Sequence, residues 1–253
     1  MTGNAAPSLS SADSVSSSER QYFDDLVSRQ GGFDPFTPAG WDVLKRAFRR
    51  LIPMPVKGPM LDVGCGTGSS LQIYEGCFET YTGVDLSPAS IESARLRFPQ
   101  HEWLVADACK LPFPDESFGL IAFSSVLHHI PNFGEALVEA RRVLRPDGIV
   151  FAYDPNLMHP AMALLRHPRS PLYLAEGVSP NERPLTSREL RRAFEAAGFR
   201  SIVQRGQSGI SYRYAAPGLV RGMLSTFNVV DRVWEWSGTG RWFGTFILTG
   251  AVK

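Results

Sequence analysis

Three glycines on alternate positions follow an acid in Asp62-Val63-Gly64-Cys65-Gly66-Thr67-Gly68, directly after the apolar Met60-Leu61. A buried strand breaking into this pattern makes a turn that only glycine can line, with a helix starting after it. Such a turn lets a ligand approach bare backbone, and a carboxylate two residues ahead of it suits a ligand carrying positive charge. A second acid, Asp85, closes the apolar segment Tyr81-Thr82-Gly83-Val84 ~20 residues on, where the next parallel strand of a βαβ unit ends. One carboxylate there can accept from two adjacent ribose hydroxyls. Together these residues describe a pocket for a nucleoside-bearing cofactor. The spacing excludes two relatives of that pocket. Counting G-x-G-x-x-G from Gly64 reaches Gly66 and then Ser69, so the dinucleotide fingerprint fails in its last slot. A phosphate loop needs Lys-Ser/Thr after its glycines, and none follows.

At these residues the chain resembles the class I S-adenosylmethionine-dependent methyltransferases. Their first motif, acid-x-Gly-x-Gly-x-Gly, is met by Asp62, Gly64, Gly66 and Gly68, and their second, an acid ending strand 2, by Asp85 in Gly83-Val84-Asp85-Leu86-Ser87. Ala106-Asp107-Ala108, then Leu111-Pro112-Phe113-Pro114-Asp115, fits the segment around strands 3 and 4. Ser124-Ser125-Val126-Leu127-His128-His129-Ile130 fits the end of strand 4, and Glu139 to Gly148 fits the helix and turn before strand 5. The order and intervals of these motifs make the resemblance specific, and it extends over most of the chain.

The resemblance implies S-adenosyl-L-methionine as cofactor and S-adenosyl-L-homocysteine as its product. Asp62 would attract the methionine ammonium, directly or through water. Gly64, Cys65 and Gly66 would lie along the methionyl part, Asp85 and Leu86 at the ribose, Asp107 and Ala108 at the adenine, with Ser124 contributing its carbonyl. Catalytic candidates are His129, His128 and Asp154. Either histidine, after strand 4, could take the proton of an acceptor hydroxyl near neutral pH, but adjacent side chains diverge and at most one should face the pocket. Asp154 ends strand 5 in Tyr153-Asp154-Pro155-Asn156. Some quinone-precursor O-methyltransferases of this family carry two glutamates and a histidine here for a divalent metal. Ser125 and His128 hold the glutamate places in this chain, so no metal is expected.

These groups need a scaffold, and strand and helix signals alternate as a parallel sheet requires. Strands are expected near 59–63, 80–84, 102–105, 118–123 and 148–153, with a sixth over Phe199 to Arg205 and a last over Arg241 to Lys253. Helices are expected near 68–75, 88–97 and 133–145, the last stopped by Pro146-Asp147-Gly148, and another runs from a Thr186 or Ser187 cap through Ala197. Glu19 to Gln30 and Trp41 to Leu51 read as two helices ahead of the sheet, the second with Trp41, Leu44, Phe48 and Leu51 on one face. The fold class is α/β: a Rossmann-like, doubly wound, mostly parallel seven-stranded sheet, with the antiparallel last strand that the resemblance implies and helical lid insertions. Residues 19–253 read as a single domain after a disordered, serine-rich tail over 1–18. Two stretches fall outside the alternation. Residues 155–185 hold six prolines. Residues 208–238 hold a helix with Val220, Met223, Leu224, Phe227, Val230 and Trp234 on one side. Both follow strand carboxyl ends, where open α/β sheets bind ligands. A lid over an acceptor pocket is the leading reading; capping of exposed core and a membrane-surface helix are the others, the last weakened by few cations on its polar face.

A net charge of +1 over 253 residues leaves no global field for nucleic acid. Three cysteines without a C-x-x-C pair favour free thiols in a reducing compartment. No apolar run approaches the ~18 residues of a membrane span, and the first eighteen residues lack the features of a signal or transit peptide. A cytoplasmic location is expected, with no integral membrane contact and no nucleic-acid partner. The expected activity is methyl transfer to a small, largely apolar or aromatic acceptor, a metabolite or lipid-like precursor, at oxygen, carbon or nitrogen. The alternative is a cofactor-binding scaffold without catalysis. Arg166, His167 and Arg169, in the first insert, could recognise an acceptor's carboxylate or phosphate, or be a solvated loop.

Overall fold

A computed structural model describes residues 11–32, 34–53, 56, 58–173, 178–213 and 219–253, without the side chains of 11–15, 219–221 and 223. Among these residues seven strands form one sheet: β1 (Met60–Val63), β2 (Tyr81–Asp85), β3 (Glu102–Val105), β4 (Phe118–Ser124), β5 (Leu144–Pro155), β6 (Arg200–Gln207) and β7 (Phe246–Val252). Their order is β3-β2-β1-β4-β5-β7-β6. The first five pair parallel, and β7 lies antiparallel between β5 and β6. The chain runs outward from β1 to β3 and then returns to β4 on the other side of β1. This reversal opens a crevice at the carboxyl ends of β1 and β4, where ligands of such sheets bind.

Helices cover both faces: α1 (Ser11–Gln30), α2 (Pro38–Leu51), α3 (Leu71–Tyr74), α4 (Pro88–Arg97), α5 (Phe133–Val143), α6 (Pro160–Arg166), α7 (Ser187–Ala196), α8 (Leu219–Trp236) and α9 (Gly240–Phe243), with a 3₁₀ turn at Leu127–His129. Cover on both faces explains why β1 and β4 are buried along their whole lengths. One face packs Met60, Tyr81, Leu120 and Phe151 against Trp41, Leu44 and Phe48 of α2. The other packs Leu61, Val63 and Phe123 against Leu137 and Val143 of α5 and Phe194 of α7. Local caps set the helix starts: Thr37, Ser87 and Thr186 side chains accept from Gly40, Ser90 and Glu189 N–H at 3.2, 3.0 and 3.2 Å.

Four expected boundaries move, each for a local reason. The stretch 11–18 belongs to helix α1 rather than to a disordered tail, because the helix is anchored beyond it by Glu19 and Asp24; residues 1–10 lie outside the described residues. The helix expected from 68 starts at Leu71, because Gly64, Gly66 and Gly68 all take positive φ (72°, 53° and 83°) and a helix cannot propagate through them. Pro146-Asp147-Gly148 does not stop α5, which ends at Val143; those residues lie inside β5, where Asp147 at φ 57° accompanies a register shift against β4. The last strand begins at Phe246, after the short α9. Among the described residues no helix is long and apolar enough to cross a membrane.

Candidate active site

The glycine turn leaves β1 beneath the 3₁₀ turn after β4. A Cβ on Gly64 would stand 2.4 Å from the Val126 side chain, so glycine alone allows the two carboxyl ends to meet. In front of Gly66 nothing lies within 4 Å of where a Cβ would be. That open space is part of a cavity of about 1430 Å³. It runs from Gly64, Cys65, Gly66, Asp85, Leu86, Asp107 and Ala108 past Ser124, His128 and His129 to an apolar chamber. α1 supplies Phe23 and Leu26 to that chamber, the 155–185 insert supplies Met162 and Leu165, and α8 supplies Leu224 and Phe227. Of the three basic residues singled out in the insert, Arg166 reaches the cavity; His167 and Arg169 do not line it.

Asp85 is fixed by the backbone. Its Oδ2 accepts from Gly66 N–H and its Oδ1 from Ser87 N–H, both at 2.9 Å. Burial raises this carboxyl above its usual range, against the pull of those two N–H groups. Each oxygen keeps acceptor capacity toward the cavity. Asp107 is exposed and accepts from Cys109 N–H at 2.8 Å, so one of its oxygens braces its own turn.

Asp62, expected to reach the ammonium directly or through water, is placed so that it does not offer the direct route. It is 0% exposed and does not line the cavity. Three hydroxyls surround it: Ser70 and Tyr81 donate to Oδ2 at 2.7 and 2.6 Å, and Ser124 donates to Oδ1 at 2.5 Å. Tyr74 then donates to Ser124 at 2.8 Å, because the single Ser124 proton is spent on Asp62. Burial pushes the Asp62 carboxyl up to about 6, with the three hydroxyls opposing. Ser70 and Ser124 are on the cavity wall, so two of the hydroxyls that hold Asp62 reach the cavity while the carboxylate itself does not.

The two histidines have separate partners. His128 Nδ1 lies 2.9 Å from Asp154 Oδ1, which also accepts from the His128 N–H at 3.1 Å. Asp154 is 0% exposed, does not line the cavity, and has an Oδ2 without a partner. It stands behind His128 and orients it, so the expectation that it touches a reacting group is corrected. Burial raises the Asp154 carboxyl, and His128 pulls it back. His129 Nδ1 lies 2.8 Å from both Glu19 Oε1 and Ser179 Oγ. Glu19, on α1, also takes Ser179 Oγ–H and both the N–H and the side-chain amide of Asn181, the last two at 3.2 and 3.0 Å. Burial would raise Glu19, but the His129 bond and charge with these donors hold it below the usual carboxylate range. Burial and then the charge of His128 push His129 down, with Glu19 opposing. His129 is a bracket joining the 3₁₀ turn, α1 and the insert.

Both histidines line the cavity, although divergent side chains were expected to leave only one there; their rings lie 4.0 Å apart at 42°. Residues that carried no sequence signal close the site. Glu19 is one. Asp24 is another: it accepts from Ser87 Oγ–H at 2.6 Å and Ala89 N–H at 3.2 Å, fastening α1 beside Asp85.

Residues 61–152 match the family described as a methyltransferase domain. The chain is 35% identical over 107 residues to a demethylmenaquinone methyltransferase of Tropheryma whipplei, covering 41% of this chain and 44% of that protein. It is 35% identical over 158 residues to an O-methyltransferase of Penicillium expansum, covering 58% and 54%. It thus spans about half the length of the curated relatives it matches. In fold it is similar to a phosphoethanolamine N-methyltransferase of Haemonchus contortus solved with S-adenosylhomocysteine. There the TM-score is 0.63 at 18% identity, over 97% of this chain and 60% of that one.

Proposed function

Since residues 61–152 match a methyltransferase domain, we propose that the chain is a class I S-adenosylmethionine-dependent methyltransferase that methylates a hydroxyl of a largely apolar acceptor, with His128 as the base and Asp154 as its orienting carboxylate. The observation that carries this reading is one continuous cavity, polar at the glycine turn and Asp85, apolar under α1 and α8, with His128 between. At about 1430 Å³ it exceeds the ~300–1,000 Å³ of ordinary small-molecule sites, which is room for a cofactor and an acceptor together.

The residues fit S-adenosylmethionine. The clear space at Gly66 admits a ligand against bare backbone, Asp85 has acceptor capacity for two ribose hydroxyls, and Ser70 and Ser124 present the field of Asp62 to an ammonium. Gly64, Cys65 and Leu86 would flank the methionyl and ribose parts, and Asp107 with Ala108 the adenine. When bound, this group supplies an electrophilic methyl on a sulfonium. The protein's own part is orientation, exclusion of water and movement of one proton. Asp154 accepts the Nδ1–H of His128, which fixes the tautomer whose Nε2 carries the lone pair. That nitrogen takes the acceptor's hydroxyl proton, and the buried carboxylate steadies the imidazolium that forms. α1, held by Glu19 and Asp24, shuts the cavity against water.

The test is transfer from cofactor labelled in its methyl group into an extract of apolar hydroxylated metabolites, followed by identification of the labelled product. Label on a hydroxyl-derived methoxy group supports the reading. Label on carbon or nitrogen, or tight cofactor binding with no transfer, rejects it.

A further inference from the structure

From Val229 to Trp236 the exposed residues of α8 are apolar except for Arg232. Val229, Val233 and Trp236, spaced i, i+4 and i+7, are 61%, 58% and 89% exposed. The helix turns its acids inward: Asp231 accepts from Gly209 N–H at 2.7 Å and Glu235 from Ser208 N–H at 3.1 Å. Val230 carries the apolar stripe to the cavity, for it lines the cavity while 55% exposed; Leu164 and Leu172 of the insert do the same at 48% and 55%. The mouth of the cavity therefore has an apolar rim continuous with an apolar helix face.

Cations stand beside this face without acids to match them. Arg232 is exposed on α8, and Arg241 of α9 stacks 3.6 Å over the ring of Trp242, itself 54% exposed. Among the described residues neither guanidinium is paired with a carboxylate. Arg50 and Arg205 share a groove with Arg241 and Trp242. Among the described side chains α8 itself presents one exposed cation, Arg232, and its neighbour α9 adds Arg241. An exposed apolar helix face continuous with a cavity rim marks a surface that is covered in use. Unpaired arginines interleaved with exposed tryptophans match the headgroup layer of a lipid surface, where amphipathic rings and guanidinium groups both find partners.

We propose that α8 and α9 dock this chain on an anionic lipid bilayer, with the rim of the cavity against it. Docking stands on the surface alone; that an apolar acceptor then passes from bilayer to cavity without crossing water rests on the methyl-transfer reading. The experiment is cosedimentation of the full chain with phosphatidylcholine vesicles, with and without phosphatidylglycerol. The chain should sediment with the anionic vesicles, and less as salt rises from 0.1 M to 1 M and the screening length falls from ~10 to ~3 Å. Arg232→Ala and Arg241→Ala should each lower partitioning about fivefold, and Val233→Glu with Trp236→Glu at least ~10-fold. Circular dichroism melts matching the wild type show that the variants fold. No sedimentation with anionic vesicles, or equal sedimentation of the apolar variant, overturns docking. So does a dimer in sedimentation velocity that Trp236→Glu dissolves, since a second copy would then cover the face. Vesicle binding without any methyl transfer would sink the function and leave docking in place.

Discussion

Exchanging Asp85 for asparagine alters one site without altering its shape. In the native chain the two carboxylate oxygens each accept a backbone N–H at 2.9 Å, from Gly66 and from Ser87. Asparagine must put an NH₂ where one oxygen was. Facing Gly66, it sets donor against donor and frees the glycine turn; facing Ser87, it does the same at the start of α4. In the free chain the turn relaxes and water meets the orphaned N–H. Binding reimposes the turn, so a penalty of about 1–3 kcal/mol for an unpaired N–H falls on the complex. One charge-assisted bond to a ribose hydroxyl is lost as well, about 1.5–3 kcal/mol. Together these weaken the dissociation constant roughly 10²–10⁴-fold. Calorimetry with S-adenosylhomocysteine reads this directly and needs no acceptor. A variant that melts like the wild type and binds within about threefold of it would refute the placement of Asp85 at the ribose.

Three further outcomes follow from the same geometry. His128→Ala should lower turnover roughly 10²–10⁴-fold and Asp154→Asn about 10- to 150-fold, with cofactor affinity unchanged in both; equal, small losses from His128→Ala and His129→Ala would remove the assignment of the base. Asp62 sits at about 6 in the folded chain against 3.8 unfolded, so its charge opposes folding above pH ~6 and that opposition fades as pH falls toward ~4. Relative to Asp62→Asn, the wild type should gain about 2 kcal/mol between pH ~7 and ~4 in urea unfolding; a pH-independent difference would show that the carboxyl is not held high. Glu19→Ala strips a shared partner from His129, Ser179 and Asn181, so α1 should open locally. Faster amide exchange over residues 16–30 and a faster cofactor off-rate are expected, and exchange confined to the helix end would contradict its role as a clasp.

Much of the framework could be read from short stretches of chain. The acid–glycine turn, the acid ending β2, the Ser87 cap and the apolar runs of β1 and β4 are each decided within a few residues by steric and burial rules. Their errors were local too: α3 starts late because three positive-φ glycines precede it, and Pro146 lies in β5 because the bulge there tolerates it. The partners of the chemical groups were not legible. Nothing near Asp62 reveals that Ser70, Tyr81 and Ser124 close over it, since those hydroxyls arrive on three elements 8 to 62 positions away. Asp154 looked like a rival to His128 and is its support, across 26 positions. Glu19 looked like a helix residue, and it clasps Ser179 from 160 positions away.

Sequence alone determined that a βαβ unit would open into a glycine turn with an acid on each side, because backbone sterics and side-chain periodicity act over a single turn or strand. Tertiary structure decided which acid meets the cavity, which carboxylate stands behind each histidine, and what closes the site. Those outcomes depend on the order β3-β2-β1-β4-β5-β7-β6 and on where α1 and α8 settle. Burial and hydrogen-bond partners are set by what packs across that sheet, and no local pattern of residues carries that information.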